Sequence, residues 1–324
     1  MQFGLLLECD RDFSASLDRA VLAEELGYDS IFLAEHHNAD TYIPQPLVAL
    51  AAIAARTDRI RLGTFVVVLP LYHPVVIAEQ AAIVQSISKG RLICGVGLGY
   101  LPEEFASMGV PFRERAGRME EALAVLPRLW REEDVAYDGR HFSFSHATVH
   151  PRLDGHPPPP PLWVGGWVEA AIRRAARLAD AWVPGPTVAL GTLRQCYEVF
   201  HDELARIGRV PSADRAAGRE LFCARTRDEA MRVGGQATYQ FYRDTYLSWP
   251  HPYLTDAERR MTAEELARDR FVIGDPDDCA REVARLQELG INHLQFRMQP
   301  PGVSPEQAAE SLRLFATEVA PRFR

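Results

Sequence analysis

Two adjacent histidines close a short apolar run, Ala34-Glu35-His36-His37-Asn38. Imidazole is the side chain that gives or takes a proton most readily near neutral pH. Neighbouring side chains of an extended chain point to opposite faces, so His36 and His37 are expected to diverge. One would serve a ligand and the other would pack away from it. The competing reading is a pair of loop histidines that make structural hydrogen bonds only. Three further segments suit a ligand's close approach. In Gly95-Val96-Gly97-Leu98-Gly99-Tyr100, the glycines would let a planar molecule lie against the backbone. The spacing is G-x-G-x-G rather than G-x-G-x-x-G, and no acidic residue opens a second unit, which sets a dinucleotide site aside. Val164-Gly165-Gly166-Trp167-Val168 joins a strand to a helix, and the free N–H groups of a helix start suit a phosphate. Gly63-Thr64-Phe65-Val66-Val67-Val68-Leu69-Pro70 is explained as core by its valines alone.

Other chemistries find little support. His141, His146, His150 and His156 lie close together, but their spacing is irregular and no cysteine or acidic pair completes a ligand set, so no metal is expected. Residues His141–Ser145 alternate like a hairpin strand. No G-x-S-x-G elbow and no G-x-x-x-x-G-K-[ST] loop is present.

Positioning such groups requires a scaffold, and the hydrophobic pattern supplies one. Strands are predicted over Phe3–Leu7, Ser30–Ala34, Ile60–Leu69, Arg91–Val96, Leu162–Val164, Ala181–Val183, Glu220–Ala224 and Asn292–Phe296. Helical patterns separate them. These cover Ser14–Leu26, Pro46–Arg56, Val75–Ser88, Glu114–Trp130, Val168–Leu178, Leu190–Ile207, Arg227–Leu247 and Asp277–Leu289, with a terminal helix over Pro305–Ala320. Strands alternating with helices imply a parallel sheet. Between an open doubly wound sheet and a closed barrel, eight regular units favour a (β/α)8 TIM barrel with insertions in its βα loops, one domain over residues 1–324. Catalytic groups are then expected just after strands. Two long insertions, Val135–Pro161 and Leu247–Phe271, are expected to cover one face of the barrel.

The chain has 324 residues, of which 47% are hydrophobic and 25% charged, enough for one large core. The formal net charge is −8 and basic runs are missing, which argues against nucleic acid. No segment has the length of apolar sequence that spans a membrane. The first residues read as a strand rather than a signal peptide. Five scattered cysteines, Cys9, Cys94, Cys196, Cys223 and Cys279, suit reduced, buried thiols in a cytoplasm.

Three segments make the chain recognisable. They are ELGYDSIFLAEHHN (25–38), RIRLGTFVVVLPLYHPVVIAEQAAIVQSISKGRLICGVGLGY (59–100) and PLWVGGWVEAAIRRAARLADAWV (161–183). In order and spacing they resemble the luciferase-like flavin monooxygenases. That resemblance implies that His36 stands beside the reactive edge of a flavin and that Phe65–Val66 is a non-prolyl cis peptide beneath its ring. Gly97, Leu98, Gly99 and Tyr100 would follow the ribityl chain and phosphate, and Gly165, Gly166, Trp167 and Val168 would hold the phosphate. His37, Trp182 and Arg297 would face the substrate. Two positions depart from the family pattern. Gly97 stands where bacterial luciferase has a reactive cysteine, which argues against light emission. Leu98 replaces a phosphate-gripping arginine, leaving mostly backbone N–H groups for the phosphate.

The resemblance implies reduced FMN supplied by a separate reductase, dioxygen added at the flavin C4a, and oxygenation of a small organic substrate through a C4a-(hydro)peroxide. The alternative is an F420-dependent oxidoreductase that transfers hydride. Its anionic tail would call for basic residues at the barrel rim, where the sequence shows no obvious cluster, and the Glu35-His36-His37 form resembles the FMN side. A third reading is a non-catalytic flavin-binding barrel. Alanine-rich helices at Pro46–Arg56 and Val75–Ser88 match the region through which the family forms homodimers.

Overall fold

The computed structural model describes residues 1–7, 13–38, 42–153, 155, 157–210, 212–247 and 251–324. Its strands are β1 (Gln2–Leu7), β2 (Ser30–Leu33), β3 (Arg61–Thr64), β4 (Val67–Val68), β5 (Leu92–Gly97), β6 (Val135–Asp138), β7 (Ser143–Ala147), β8 (Leu162–Gly165), β9 (Ala181–Val183), β10 (Ala216–Cys223), β11 (Phe271–Gly274) and β12 (His293–Arg297). The helices are α1 (Phe13–Glu25), α2 (Pro46–Ala54), α3 (Pro74–Ile87), α4 (Pro102–Ser107), α5 (Arg115–Arg131), α6 (Glu169–Leu178), α7 (Leu190–Arg206), α8 (Arg227–Ala230), α9 (Gln236–Asp244), α10 (Ala263–Ala267), α11 (Pro276–Glu288) and α12 (Pro305–Leu314). A π-helical turn over Met231–Gly235 links α8 to α9 and makes them one continuous rod. Proline at the first turn starts α2, α3, α4, α11 and α12, where its missing N–H costs nothing.

Ten strands form a curled sheet in the order β11-β10-β12-β1-β2-β3-β5-β8-β9, with β4 beside β5. Every pairing within it is parallel. Helices pack on its outer side, as parallel strands require for their crossovers. The expected eight-stranded closed barrel is met in part. Glu220 pairs with Arg297 of β12 on one side and with Phe271 of β11 on the other. The β10 edge that would complete a ladder to β9 is therefore taken by β11 from Glu220 onward. Among the described residues, Gly218 N–H donates to Pro184 O at 3.2 Å across that seam. The strand β11 was not expected from the sequence, because Phe271–Gly274 is short and stood at the end of a presumed insertion. The predicted strand Ile60–Leu69 divides into β3 and β4, with a cis peptide at Phe65–Val66 between them.

Strand alternation sorts side chains into two layers. Leu6, Phe32, Ile93, Trp163, Ala181, Val183 and Ala216 meet inside the curl. Phe3, Leu5, Ile31, Leu33, Leu62, Cys94, Leu294 and Phe296 point outward into the helix layer. Each large apolar side chain fully withdrawn from water contributes about 1.5–3 kcal/mol. The interior is filled and holds Phe32 and Trp163 stacked at 5.7 Å, with His293 edge-on to both. The space left open lies above this plug, at the C-terminal ends of the strands.

The two insertions behave differently. The first contains the antiparallel pair β6–β7, one residue pair or two beyond the expected His141–Ser145 strand. Glu121 of α5 accepts from the backbone N–H groups of Arg140, His141 and Phe142 and so ties this hairpin to the outer helices. The second insertion turns over the strand ends: the His251 ring packs tilted against Trp167 at 4.5 Å, and the Tyr253 hydroxyl donates to the Trp167 carbonyl.

Candidate active site

A cavity of about 340 Å³ opens at the C-terminal ends of the strands. Leu6, Ala34, Phe65, Val66, Gly97, Leu98, Gly165 and Val183 make it apolar at the bottom; Tyr100, Trp167, Tyr246 and Pro252 form its upper walls. Its polar side chains are Glu35, His36, Glu104, Arg115 and Arg297. A second chamber of about 350 Å³ adjoins it and shares His36, Tyr42 and Tyr100.

Glycine makes room for a flat ligand. A Cβ on Gly97 would sit 2.4 Å from Val66 Cγ2, so only glycine lets β5 approach the Phe65–Val66 segment. Gly99 has φ of +73°, the left-handed region, and turns the chain from β5 into α4. That turn delivers Glu104 to the first turn of α4, where a carboxylate also complements the helix dipole.

Glu104 organises the histidine pair. One oxygen, Oε1, lies 2.9 Å from His36 Nδ1 and accepts the backbone N–H of His37 at 2.9 Å. A carboxylate oxygen only accepts, so Nδ1 of His36 carries its hydrogen and Nε2 is left as the position that gains or loses a proton. The Tyr100 hydroxyl lies 3.3 Å from Nε2, and the Tyr42 ring meets the imidazole edge-on at 4.5 Å. Burial raises the Tyr100 pKa well above the usual phenol range, so Tyr100 stays a donor.

His37 takes the other carboxylate and the other direction. Its Nε2 lies 2.8 Å from Glu35 Oε1, which also accepts from the Tyr72 hydroxyl at 2.7 Å. Glu35 Oε2 accepts from Val68 N–H at 3.0 Å. Hydrogen bonding to Glu35 holds the His37 pKa above its ordinary 6.5. His37 is not among the cavity's lining residues, so its expected place facing the substrate is corrected. Strand β2 ends at Leu33, so the two histidines diverge because two carboxylates hold them, not through strand alternation.

Trp182 is a second correction. On β9 it points outward, edge-on to Tyr197 at 4.9 Å, while its neighbours Ala181 and Val183 point inward. Its indole N–H donates to the Gly166 carbonyl at 3.0 Å, so Trp182 braces the β8–α6 turn from outside the cavity. Phe65, Val66, Gly97, Leu98, Gly99, Tyr100, Gly165, Gly166, Trp167 and Val168 all line the cavity with His36 and Arg297.

Arg297 reaches the cavity, but its charge is already matched. Its Nε donates to Glu220 Oε2 at 2.9 Å and its Nη2 to Glu220 Oε1. Nη1 donates to the Tyr246 hydroxyl at 3.1 Å, and the guanidinium lies 4.3 Å above the Phe241 ring. The Tyr242 hydroxyl completes the set on Glu220 Oε1 at 3.1 Å.

Sequence reasoning missed Glu104, Glu220 and Arg115. Arg115 begins α5 and lines the cavity; its Nε is buried without a hydrogen-bond partner, while Nη1 donates to the Phe112 carbonyl at 3.0 Å. A phosphate held here would therefore meet a side-chain cation as well as backbone N–H groups. A signal existed, because a cation in the first turn of a helix opposes the helix dipole and asks for an anion. The start of α6 has no side-chain cap, and its Val168 and Ala171 line the same cavity beside Gly166 and Trp167. Arg115, the α6 start and the Gly97–Val66 cradle together fit a planar cofactor with a phosphate. Among the described residues, no group of three or more His, Cys, Asp or Glu side chains comes together as a metal site. Likewise, no described helix is long and apolar enough to cross a membrane. Cys94, Cys196, Cys223 and Cys279 are free and buried, while Cys9 and His156 lie outside the described residues.

Comparison with known proteins places these features. A family model described as luciferase-like monooxygenase matches residues 1–293. The chain is 32% identical over 339 residues to an F420-dependent glucose-6-phosphate dehydrogenase of Microbacterium testaceum (strain StLB037), covering 95% of this chain and 93% of that protein. Monooxygenase RslO1 from Streptomyces bottropensis superposes with a TM-score of 0.87 at 27% identity, over 100% of both chains. The oxygenating constituent of 3,6-diketocamphane monooxygenase from Pseudomonas putida, in complex with FMN, has a TM-score of 0.84 at 24% identity, over 100% of this chain and 99% of that one. The last shares the fold.

Proposed function

The chain belongs to the luciferase-like monooxygenase family, and we propose that it is an oxidoreductase that holds a deazaflavin, oxidised when it takes hydride from the substrate, or a reduced flavin in its cavity beside a small organic substrate. The observation that carries this is His36 in the cavity wall, with Nδ1 held by Glu104 and Nε2 left to exchange a proton. Phe65 and Val66 would floor the ring, Gly97 to Tyr100 would follow the side chain, and Gly165 to Val168 with Arg115 would hold the phosphate. When bound, F420 supplies or takes a hydride, and reduced FMN supplies two electrons to dioxygen.

Hydride transfer with F420 is the first reading, supported by the F420-dependent relative aligned along nearly the whole chain. His36 then takes the proton of a substrate hydroxyl at Nε2, and Glu104 holds the resulting imidazolium in place. FMN-dependent oxygenation is the second reading. It is supported by Arg115 being the one cavity-lining cation, among the described residues, whose charge no carboxylate matches. A single such cation suits one phosphate better than a long polyanionic tail. In that reading His36 gives a proton at Nε2, the second insertion over Trp167 keeps water out, and a separate reductase is the partner.

We also read the curled sheet as a (β/α)8 barrel whose seam lies between β9 and β10, the whole chain as one cytoplasmic domain, and the chain as a homodimer. Val48, Val76, Ile83 and Ile87 lie exposed on α2 and α3, an apolar face of the kind that two-fold contacts cover. Sedimentation at micromolar concentration tests the dimer, and a monomer there refutes it.

Parallel anaerobic titrations with F420 and with reduced FMN test the function. Tight F420 binding with no response to oxygen supports the first reading. Binding of reduced FMN with oxygen-dependent product supports the second. Binding of neither overturns both.

A further inference from the structure

The chamber beside the cofactor cavity has a chemistry of its own. Tyr42, Tyr100, Leu101, Phe241 and Pro301 give it an aromatic and aliphatic wall, and His36 joins it to the inner cavity. Its volume, about 350 Å³, lies at the small end of small-molecule sites. Among the described residues, the carboxylate in its wall is Asp244, at the exposed rim, which accepts from Gln240 Nε2 at 2.9 Å. No lysine or arginine lines it among the described residues. Arg297 lines the inner cavity and not this chamber; its guanidinium lies over Phe241 and is gripped through two nitrogens by buried Glu220. Arg115, in the inner cavity, is the cation available to a cofactor phosphate.

An anionic substrate would leave water for a chamber with no lysine or arginine in its described wall, where the basic group present, His36, already faces Glu104, and with a carboxylate at the mouth. An uncharged ring loses little hydration and gains contact with four or five apolar side chains. We propose that this outer chamber is the substrate subsite and that it takes an uncharged, ring-bearing hydrophobic molecule, not a phosphorylated sugar such as the substrate named for the F420-dependent relative. The inference rests on the oxidoreductase reading for its chemistry, but ligand binding tests it separately.

The probes are 2-naphthol, 2-naphthyl phosphate and glucose 6-phosphate, titrated against the full chain by calorimetry. Leu101→Trp fills the chamber from its wall, and the part of each binding signal that this change removes is the part the chamber owns. Leu101→Phe serves as a milder second variant, with melting temperature recorded for both. Binding of 2-naphthol is expected to weaken at least tenfold in Leu101→Trp and less in Leu101→Phe. The chamber's share of 2-naphthyl phosphate and glucose 6-phosphate binding should be at least tenfold weaker than that of 2-naphthol. Asp244→Asn should narrow the gap between the two naphthyl probes. Chamber-dependent binding of either phosphate as tight as that of 2-naphthol overturns the substrate class. Binding of 2-naphthol that is indifferent to both Leu101 variants overturns the site. Cofactor titrations of the same variants should match the unmodified chain; a chain that binds 2-naphthol here but neither cofactor refutes the oxidoreductase reading and leaves this one standing.

Discussion

Two pairs of a basic side chain with a carboxylate face one cavity from opposite halves of the chain, and burial separates their uses. In His36–Glu104 the imidazole keeps 15% of its side-chain surface exposed; in Arg297–Glu220 the two side chains keep 2% and 1%. Guanidinium does not lose its proton, and a buried carboxylate gripped through both oxygens has little reason to gain one. That pair is a fixed wall. Imidazole, held by Glu104 at one nitrogen and met by the Tyr100 hydroxyl at 3.3 Å at the other, is the member of the comparison that can change state. Similar partners thus yield rigidity in one place and, in the other, a group whose chemistry allows proton exchange.

Breaking the exchanging pair should give the largest effect. His36→Ala is expected to lower turnover by roughly 10²–10⁴ with cofactor affinity little changed, while His37→Ala lowers turnover less and costs stability instead. Steady-state kinetics beside cofactor titrations check this. Equal, small losses in the two variants would reduce His36 to an ordinary loop histidine.

Breaking the rigid pair should show in folding. Glu220→Ala strands a buried guanidinium and is expected to cost about 3–5 kcal/mol in denaturant unfolding. Combining Glu220→Leu with Arg297→Met removes both charges and should recover most of that loss. A double variant as unstable as Glu220→Ala would mean that uncompensated charge is not the cause.

Glu104→Gln is a finer cut, because the amide can donate as well as accept and no longer fixes which nitrogen of His36 carries hydrogen. Turnover is expected to fall about 10–100-fold, the equivalent of one hydrogen bond to a charged group. The loss should fall on kcat with KM little changed. Full turnover with a lowered melting temperature would assign Glu104 to structure alone.

The smallest expected effect belongs to His37. Its pKa is held above 6.5 by Glu35, so its folded state binds the proton more tightly than its unfolded state does. Its contribution is therefore fully present below about pH 6.5 and fades as pH rises through the higher folded value. The stability gap between the unmodified chain and His37→Ala should shrink from pH 6 to pH 9. A gap that grows with pH would contradict the His37–Glu35 assignment.

Much of the scaffold was legible in the sequence. Apolar runs separated by helical periodicity located the strands that carry the site, and Gly97, Gly165 and Gly166 marked strand ends that line the cavity. Strand β11 was hidden because four residues at the end of a long insertion carry no clear period. Trp182 was assigned to the wrong face because a three-residue strand, β9, leaves its phase open until neighbouring strands set it. The Leu98 position suggested a phosphate site without an arginine, whereas Arg115 from a different helix reaches that cavity.

What the residues determined by themselves was local: the parallel α/β pattern, the glycine turns and an imidazole at a strand's end. Only the tertiary structure decided the partners. Glu104 lies 68 positions from His36, and Glu220 lies 77 positions from Arg297. Periodicity reports which way a side chain faces along its own element. Which carboxylate waits there depends on strand order and on the path of loops that return to the same rim, and these are settled when the sheet curls and its core packs.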